Sequence, residues 1–228
     1  MVESTLSRYK RHAKKPSNSE RLAGRKDVLR RFPPHMSTRP GGPSETTKSA
    51  SATRARVVVL VGFMGAGKST VGAALSAKLG WPFEDLDERI QASEQRSIER
   101  IFRESGESVF RQLEHAALRS ALEAPGTSAK VLALGGGAFA QENNAALLDQ
   151  AGVATIFLDA PIEELFRRCQ EQRLDRPLRR DLEEFRRLYE NRRPCYLKAA
   201  VRIETAGKSV EEVVAEAVAT LASLGVKE

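Results

Sequence analysis

Only two cysteines, Cys169 and Cys195, occur in this chain, and they are too far apart for C-x-x-C pairing. Neither a disulfide framework nor a zinc site is therefore indicated, and both cysteines read as small apolar packing residues. Histidine is as scarce, with His12, His35 and His115 isolated from one another. No apolar run approaches the roughly 20 residues needed to cross a bilayer, and no apolar core of a secretion signal is present. A soluble cytoplasmic protein without membrane attachment is the expectation. There is no internal repeat.

Apolar residues are also sparse in residues 1–56, which hold 14 Lys+Arg against 4 Asp+Glu together with Pro16, Pro33, Pro34, Pro40 and Pro43. The composition predicts a mostly disordered basic extension. It offers too few apolar positions, and too many prolines, for the packed helices of a helix-turn-helix. At most it suggests weak, salt-sensitive, nonspecific binding to nucleic acid. A transit peptide fits Glu3 and the dense basic run Arg8–Lys15 poorly, which favours a basic interaction arm or sequence upstream of a start at Met36. The remaining 172 residues carry 23 Lys+Arg against 26 Asp+Glu, so the basic balance of the whole chain belongs to the extension.

Residues 57–228 alternate short apolar runs with amphipathic stretches. Strands are predicted at 57–61, 82–85, 131–134, 153–158 and 200–204, and helices near 68–79, 97–122, 142–149, 161–172 and 180–198. A last helix follows Ser209 and Glu212, which form a capping box ahead of the apolar face Val210, Val213, Val214, Ala217, Val218 and Leu221. This is an α/β pattern, a five-stranded parallel sheet flanked by helices. Ligands of such sheets bind outside the carboxyl ends of the strands.

The run Gly62-Phe63-Met64-Gly65-Ala66-Gly67-Lys68-Ser69-Thr70 follows the first strand and matches G-x-x-x-x-G-K-[ST] without a mismatch. Its glycines let successive backbone N–H groups turn toward phosphate oxygens, and the positive end of the next helix adds to the attraction. Gly65, Ala66, Gly67, Lys68, Ser69 and Thr70 are thus the candidate nucleotide cradle. Lys68 is placed to reach the terminal phosphates, and the Ser69 hydroxyl to hold Mg²⁺. The second strand runs into Asp85-Leu86-Asp87. Such a pair commonly only stabilises a helix start, but beside a phosphate cradle one carboxylate can hold Mg²⁺ through its water shell while the other accepts a proton from an attacking hydroxyl.

Further along come Ser97-Ile98-Glu99-Arg100-Ile101-Phe102, then Gly106-Glu107-Ser108-Val109-Phe110-Arg111-Gln112-Leu113-Glu114, read as two helices broken at Gly106. Gly135-Gly136-Gly137 follows the third strand, and Arg176-Pro177-Leu178 and Arg192-Arg193-Pro194-Cys195-Tyr196 complete the series. In this combination the chain resembles shikimate kinases over about residues 57–228. The resemblance implies a nucleoside-monophosphate-kinase-like P-loop fold and transfer of the ATP γ-phosphate to the 3-hydroxyl of shikimate. It implies that Arg111 and Arg192 grip the substrate carboxylate, with Arg193 as runner-up to Arg192. By the same resemblance Asp87 contacts substrate hydroxyls and acts as base, Asp85 lies near Mg²⁺ with Ser69, and Gly135, Gly136 and Gly137 let backbone approach the substrate. Arg176 matches a lid arginine that closes over ATP, while Arg168 and Lys208 are weaker candidates near the adenine. A monomer binding ATP and shikimate is expected.

Two other readings stay open on sequence. One is another small-metabolite kinase of this fold, such as a gluconate kinase, whose sugar-acid substrate also calls for arginines. The other is a ligand-sensing regulator built on a kinase-like domain, against which the joint presence of Lys68, Asp87 and Arg111 argues for turnover.

Overall fold

Val57–Val61 has an apolar residue at each position, and all five are buried, which is the signature of a strand covered on both faces. In the computed structural model, which describes residues 57–123, 129–171 and 181–226, this strand (β1) sits at the centre of a five-stranded sheet. The others are β2 (Phe83–Asp85), β3 (Lys130–Ala133), β4 (Ala154–Asp159) and β5 (Val201–Glu204). Their order is β2-β3-β1-β4-β5, and each neighbouring pair is parallel. From β1 the chain passes to the edge strand β2, returns to β3 beside β1, and then crosses to the other side for β4 and β5. The crevice this leaves at the carboxyl end of β1 lies between β3 and β4.

Helices join the strands: α1 (Lys68–Leu79), α2 (Leu86–Glu94), α3 (Ile98–Glu123), α4 (Glu142–Gln150), α5 (Ile162–Glu171), α6 (Leu182–Tyr196) and α7 (Val210–Ser223), with a short 3₁₀ turn at Ala138–Ala140. Four strands differ from their predicted limits by one residue, β2 and β5 at one end and β3 and β4 at both, and α3 breaks at Gly106 as expected, with φ 82° and ψ 169°. The capping box of Ser209 and Glu212 starts α7, whose Val213, Val214, Ala217 and Leu221 are buried. Helix α2 is a correction, since the sequence showed no helix there. Its inward face needs only Leu86 and Ile90, beside the stem of Glu94, and a pair of apolar residues is too short a signal of helical period.

One contact sets the spacing between α1 and β2. A methyl group on Gly72 would lie 2.3 Å from a ring carbon of Phe83, so the Phe83 ring lies against the bare helix backbone. Glycine inside a helix costs about 1 kcal/mol relative to alanine, and here the close approach of the strand explains its presence. Residues 1–56, the predicted disordered extension, and Arg176 with its Arg-Pro-Leu context lie outside the described residues.

Candidate active site

The glycine loop leaves the carboxyl end of β1 and enters α1 at Lys68. Gly65 adopts φ 79°, and a methyl group there would sit 2.5 Å from the Leu165 carbonyl oxygen and 2.9 Å from Cys169 Sγ, both on α5. The loop is therefore wedged against α5 with no room for a side chain. Lys68 Nζ donates to the carbonyl oxygens of Gly62 and Phe63, each at 3.0 Å, which folds the ammonium over the loop's own backbone. Ala66 is buried, whereas Ser69 and Thr70 are exposed at the mouth of the loop.

Asp85 ends β2 and uses its two oxygens differently. Oδ1 accepts from the backbone N–H groups of Asp87, at 2.9 Å, and Glu88, so it caps α2. Oδ2 accepts from the Ser69 hydroxyl at 2.7 Å. One oxygen of this side chain thus starts a helix while the other reaches the loop mouth. Ser69 and Asp85 bring two hard oxygen ligands together at the loop mouth, a donor set suited to Mg²⁺, which takes few protein ligands and completes its shell with water and phosphate. Among the described residues there is no cluster of three or more His, Cys, Asp or Glu that could hold a metal.

The turn after β3 meets the other candidates. A methyl on Gly135 would lie 2.5 Å from Asp87 Oδ1, and one on Gly137 would lie 2.9 Å from both terminal nitrogens of Arg111. These glycines are seats for a carboxylate and a guanidinium. The carbonyl oxygen between them, on Gly136, accepts from Arg192 Nη1 at 3.3 Å and from the Tyr196 hydroxyl. Gly136 also lies against the glycine loop, since a methyl there would come within 3.5 Å of the Met64 nitrogen. Asp87, Arg111 and Arg192 therefore converge on one turn, next to the phosphate cradle.

Electrostatics tie this group together. Arg111 Nη1 donates to both oxygens of Glu114, at 3.1 and 2.9 Å, while its Nε and Nη2 reach Glu107. Glu114 is almost wholly buried, and burial pushes its carboxyl above the usual carboxylate range. Arg111 pulls against that rise, the nearby charge of Asp87 adds to it, and Arg192 opposes it, so all four groups share one field. Burial also pushes the Tyr196 phenol well above its ordinary value, keeping it a hydrogen-bond donor.

The runner-up arginine points elsewhere. Arg193 donates to the Tyr189 hydroxyl at 3.0 Å and to Asp159 at 3.1 Å, which leaves Arg192 as the arginine at the glycine turn. Arg168 holds the carbonyl and hydroxyl oxygens of Thr205 at 3.2 and 3.1 Å, and Lys208 pairs with Glu216 on α7. Neither contacts the glycine loop in these interactions. Sequence reasoning did not single out Glu114, Tyr196 or Phe63 as site residues. Phe63 packs edge-on against Phe185 and Tyr189 of α6, and the Arg192 guanidinium lies 6.0 Å from the centre of its ring. The position of Glu114 three residues after Arg111 was a readable signal for a helical ion pair. Nothing local marked Phe63.

Comparison with known proteins bears on what this arrangement does. A family model described as shikimate kinase matches residues 64–222. The chain is 42% identical over 162 residues to a shikimate kinase of Persephonella marina, covering 71% of this chain and 96% of that protein. It is 40% identical over 165 residues to a shikimate kinase of Aquifex aeolicus, covering 72% and 95%. Among solved structures, the Aquifex aeolicus shikimate kinase superposes with a TM-score of 0.65 at 38% identity, over 74% of this chain and 98% of that one. A shikimate kinase from Acinetobacter baumannii in complex with shikimate gives 0.66 at 31% identity, over 75% and 95%.

Proposed function

This chain belongs to the shikimate kinase family, and from that premise we propose which of its residues carry the reaction. The enzyme transfers the γ-phosphoryl group of ATP to the 3-hydroxyl of shikimate. The observation that carries the assignment of roles is the convergence of Asp87, Arg111 and Arg192 on the Gly135–Gly137 turn, beside the glycine loop.

Gly65, Ala66, Gly67, Lys68, Ser69 and Thr70 hold the nucleotide phosphates through backbone N–H groups, the Lys68 ammonium and the start of α1. Lys68 exchanges its bonds to the Gly62 and Phe63 carbonyls for phosphate oxygens and stabilises the charge that develops on the γ-phosphoryl group. Ser69 and Asp85 would hold Mg²⁺, which would neutralise phosphate charge when bound. Arg111 and Arg192 offer planar guanidinium forks to the shikimate carboxylate. Their own partners, Glu114 and the Gly136 carbonyl, hold them in place for it. Asp87 orients the acceptor hydroxyl and takes its proton at a carboxylate oxygen. Arg176, assigned by its match to the family's lid arginine, closes over ATP and adds positive charge at the transferring group.

By the same family reading the enzyme works as a monomer in cytoplasmic biosynthesis. Among the described residues no helix is long and apolar enough to cross a membrane. The test is ADP release with shikimate, with gluconate and with no acceptor. Release dependent on shikimate alone is expected. Equal release with gluconate would revive the sugar-acid kinase alternative, and acceptor-independent release would reduce the protein to an ATPase.

A further inference from the structure

Asp159 ends β4, is 2% exposed, and plays no part in the reaction described above. An acid buried this deeply must be compensated by hydrogen bonds or opposite charge. Here the compensation comes largely from one helix. Oδ1 accepts from the Tyr189 hydroxyl at 2.9 Å, and Oδ2 accepts from Arg193 Nη2 at 3.1 Å and from Arg202 Nε at 2.9 Å. Tyr189 and Arg193 both belong to α6 and stand one turn apart on it. Arg193 also donates to Tyr189, closing the triangle.

We propose that Asp159 is a positioning residue for shikimate binding, which sets the rotation of α6 so that Arg192 faces the glycine turn. A single bond between a helix and a strand end leaves the helix able to roll about its axis. Two bonds from one carboxylate to successive turns fix both its height and its rotation. Adjacent residues on a helix point about 100° apart, so holding Arg193 on Asp159 turns Arg192 toward the Gly136 carbonyl. The same grip seats the Tyr189 ring on Phe63 of the glycine loop, with ring centres 5.4 Å apart. The β4 end is itself fixed against that loop, since a methyl on Gly62 would lie 2.7 Å from the Leu158 carbonyl oxygen. Asp159 thus references the substrate arginine to the phosphate cradle. Burial and the Asp159 carboxylate push the Tyr189 phenol up to about 12, so it stays a donor to that carboxylate throughout the working pH range.

This inference rests on the role of Arg192 proposed above, and the experiment separates the two. Shikimate KM and kcat, and the Kd of a nonhydrolysable ATP analogue, are measured for Asp159→Asn, Arg192→Ala and the double variant. Asp159→Asn keeps the size of the side chain but removes the charge facing Arg193 and Arg202. It should raise the shikimate KM about tenfold and leave the Kd of the analogue within about twofold, the scale expected when a binding group is slightly misplaced. In the Arg192→Ala background the same change should add less than about twofold, because the two residues act through one contact. An undiminished effect in that background would overturn the inference, as would equal weakening of both ligands. So would a wild-type shikimate KM in Asp159→Asn when Arg192→Ala alone is impaired. If Arg192→Ala binds shikimate like the wild type, the role of Arg192 is wrong and the inference falls with it. Should Asp159→Asn fail to fold by circular dichroism, Tyr189→Phe and Arg193→Gln each remove one of the two bonds, and each should raise the shikimate KM about threefold. Wild-type values in both would overturn the proposal.

Discussion

The two halves of the proposed active site are built in different ways. The nucleotide half is a continuous stretch, Gly62 to Thr70, whose chemistry lies mainly in its backbone and in the start of α1. The acceptor half is assembled from side chains on α2, α3 and α6, set against a glycine turn after β3. A triphosphate presents the same charged oxygens whatever its base, so oriented N–H groups suffice to hold it. A small carboxylate with several hydroxyls is told from its analogues only by charges and donors placed separately, and these must come from distant parts of the chain. Local construction resists change in the rest of the fold, whereas distributed construction depends on every element that aims a side chain.

If that contrast holds, Lys68→Met should give the largest loss, with turnover falling about a hundredfold or more as one preorganised charge is removed. Single-turnover phosphoryl transfer is the measurement, and a rate equal to the wild type would break the nucleotide half of the comparison. Arg111→Ala or Arg192→Ala should lower kcat/KM for shikimate by about 2–4 kcal/mol, with little change in the affinity of an ATP analogue. Arg→Lys should fail at both positions, since one ammonium cannot reproduce the fork. Titrating each variant with the two ligands separately decides it, and equal weakening would move these arginines to the nucleotide.

The glycines sharpen the contrast. Gly137→Ala places a methyl 2.9 Å from the Arg111 nitrogens and should raise the shikimate KM about tenfold while ATP binding stays within about twofold. Gly65→Ala, pressed against the Leu165 carbonyl, should do the reverse. Calorimetric titration of both variants would show whether the halves fail independently. A smaller effect concerns pH. Burial raises the Glu114 pKa above its ordinary 4.5, so the folded state favours the protonated acid, and the cost of the ionised form is relieved as pH falls through the raised value. Relative to Glu114→Gln, the wild type should therefore gain Tm as pH falls from neutral toward the ordinary value of 4.5, and a constant or opposite difference would contradict the sign. Smallest of all, a chain beginning at Ser51 should keep shikimate kinase turnover within about twofold, because every assigned residue lies beyond residue 56.

The nucleotide half and the sheet were legible in the sequence because their signals are short-range. Five consecutive β-branched or leucine residues announce a buried strand, and the glycine loop states its own spacing. The acceptor half was legible only through resemblance to a family. Nothing in the neighbourhood of Arg111 or Arg192 says that helices so far apart in sequence meet at one glycine turn. Choosing Arg192 over Arg193 likewise rested on family spacing, and the physical reason appears only once Asp159 is seen to hold Arg193. Asp159 lay one residue beyond the predicted strand 153–158, and nothing local marked it. Helix α2 escaped notice because so little of it is apolar, although the acid that caps it had been noted for its chemistry.

The bare backbone at Gly72 carries a consequence for genetics. In a growth selection that depends on shikimate phosphorylation, a library of substitutions at this position should be depleted nearly as severely as one at Lys68, although Gly72 has no assigned role in holding either substrate. Any side chain there must displace the Phe83 ring that packs on α1, and the expected consequence is strain on β2 and on Asp85, whose bond to Ser69 spans the same gap between α1 and β2. Intolerance in such a screen therefore marks a spacer as readily as a reactive group, and a second-site substitution that shrinks the ring at 83 should restore growth to variants at 72 but not to those at 68.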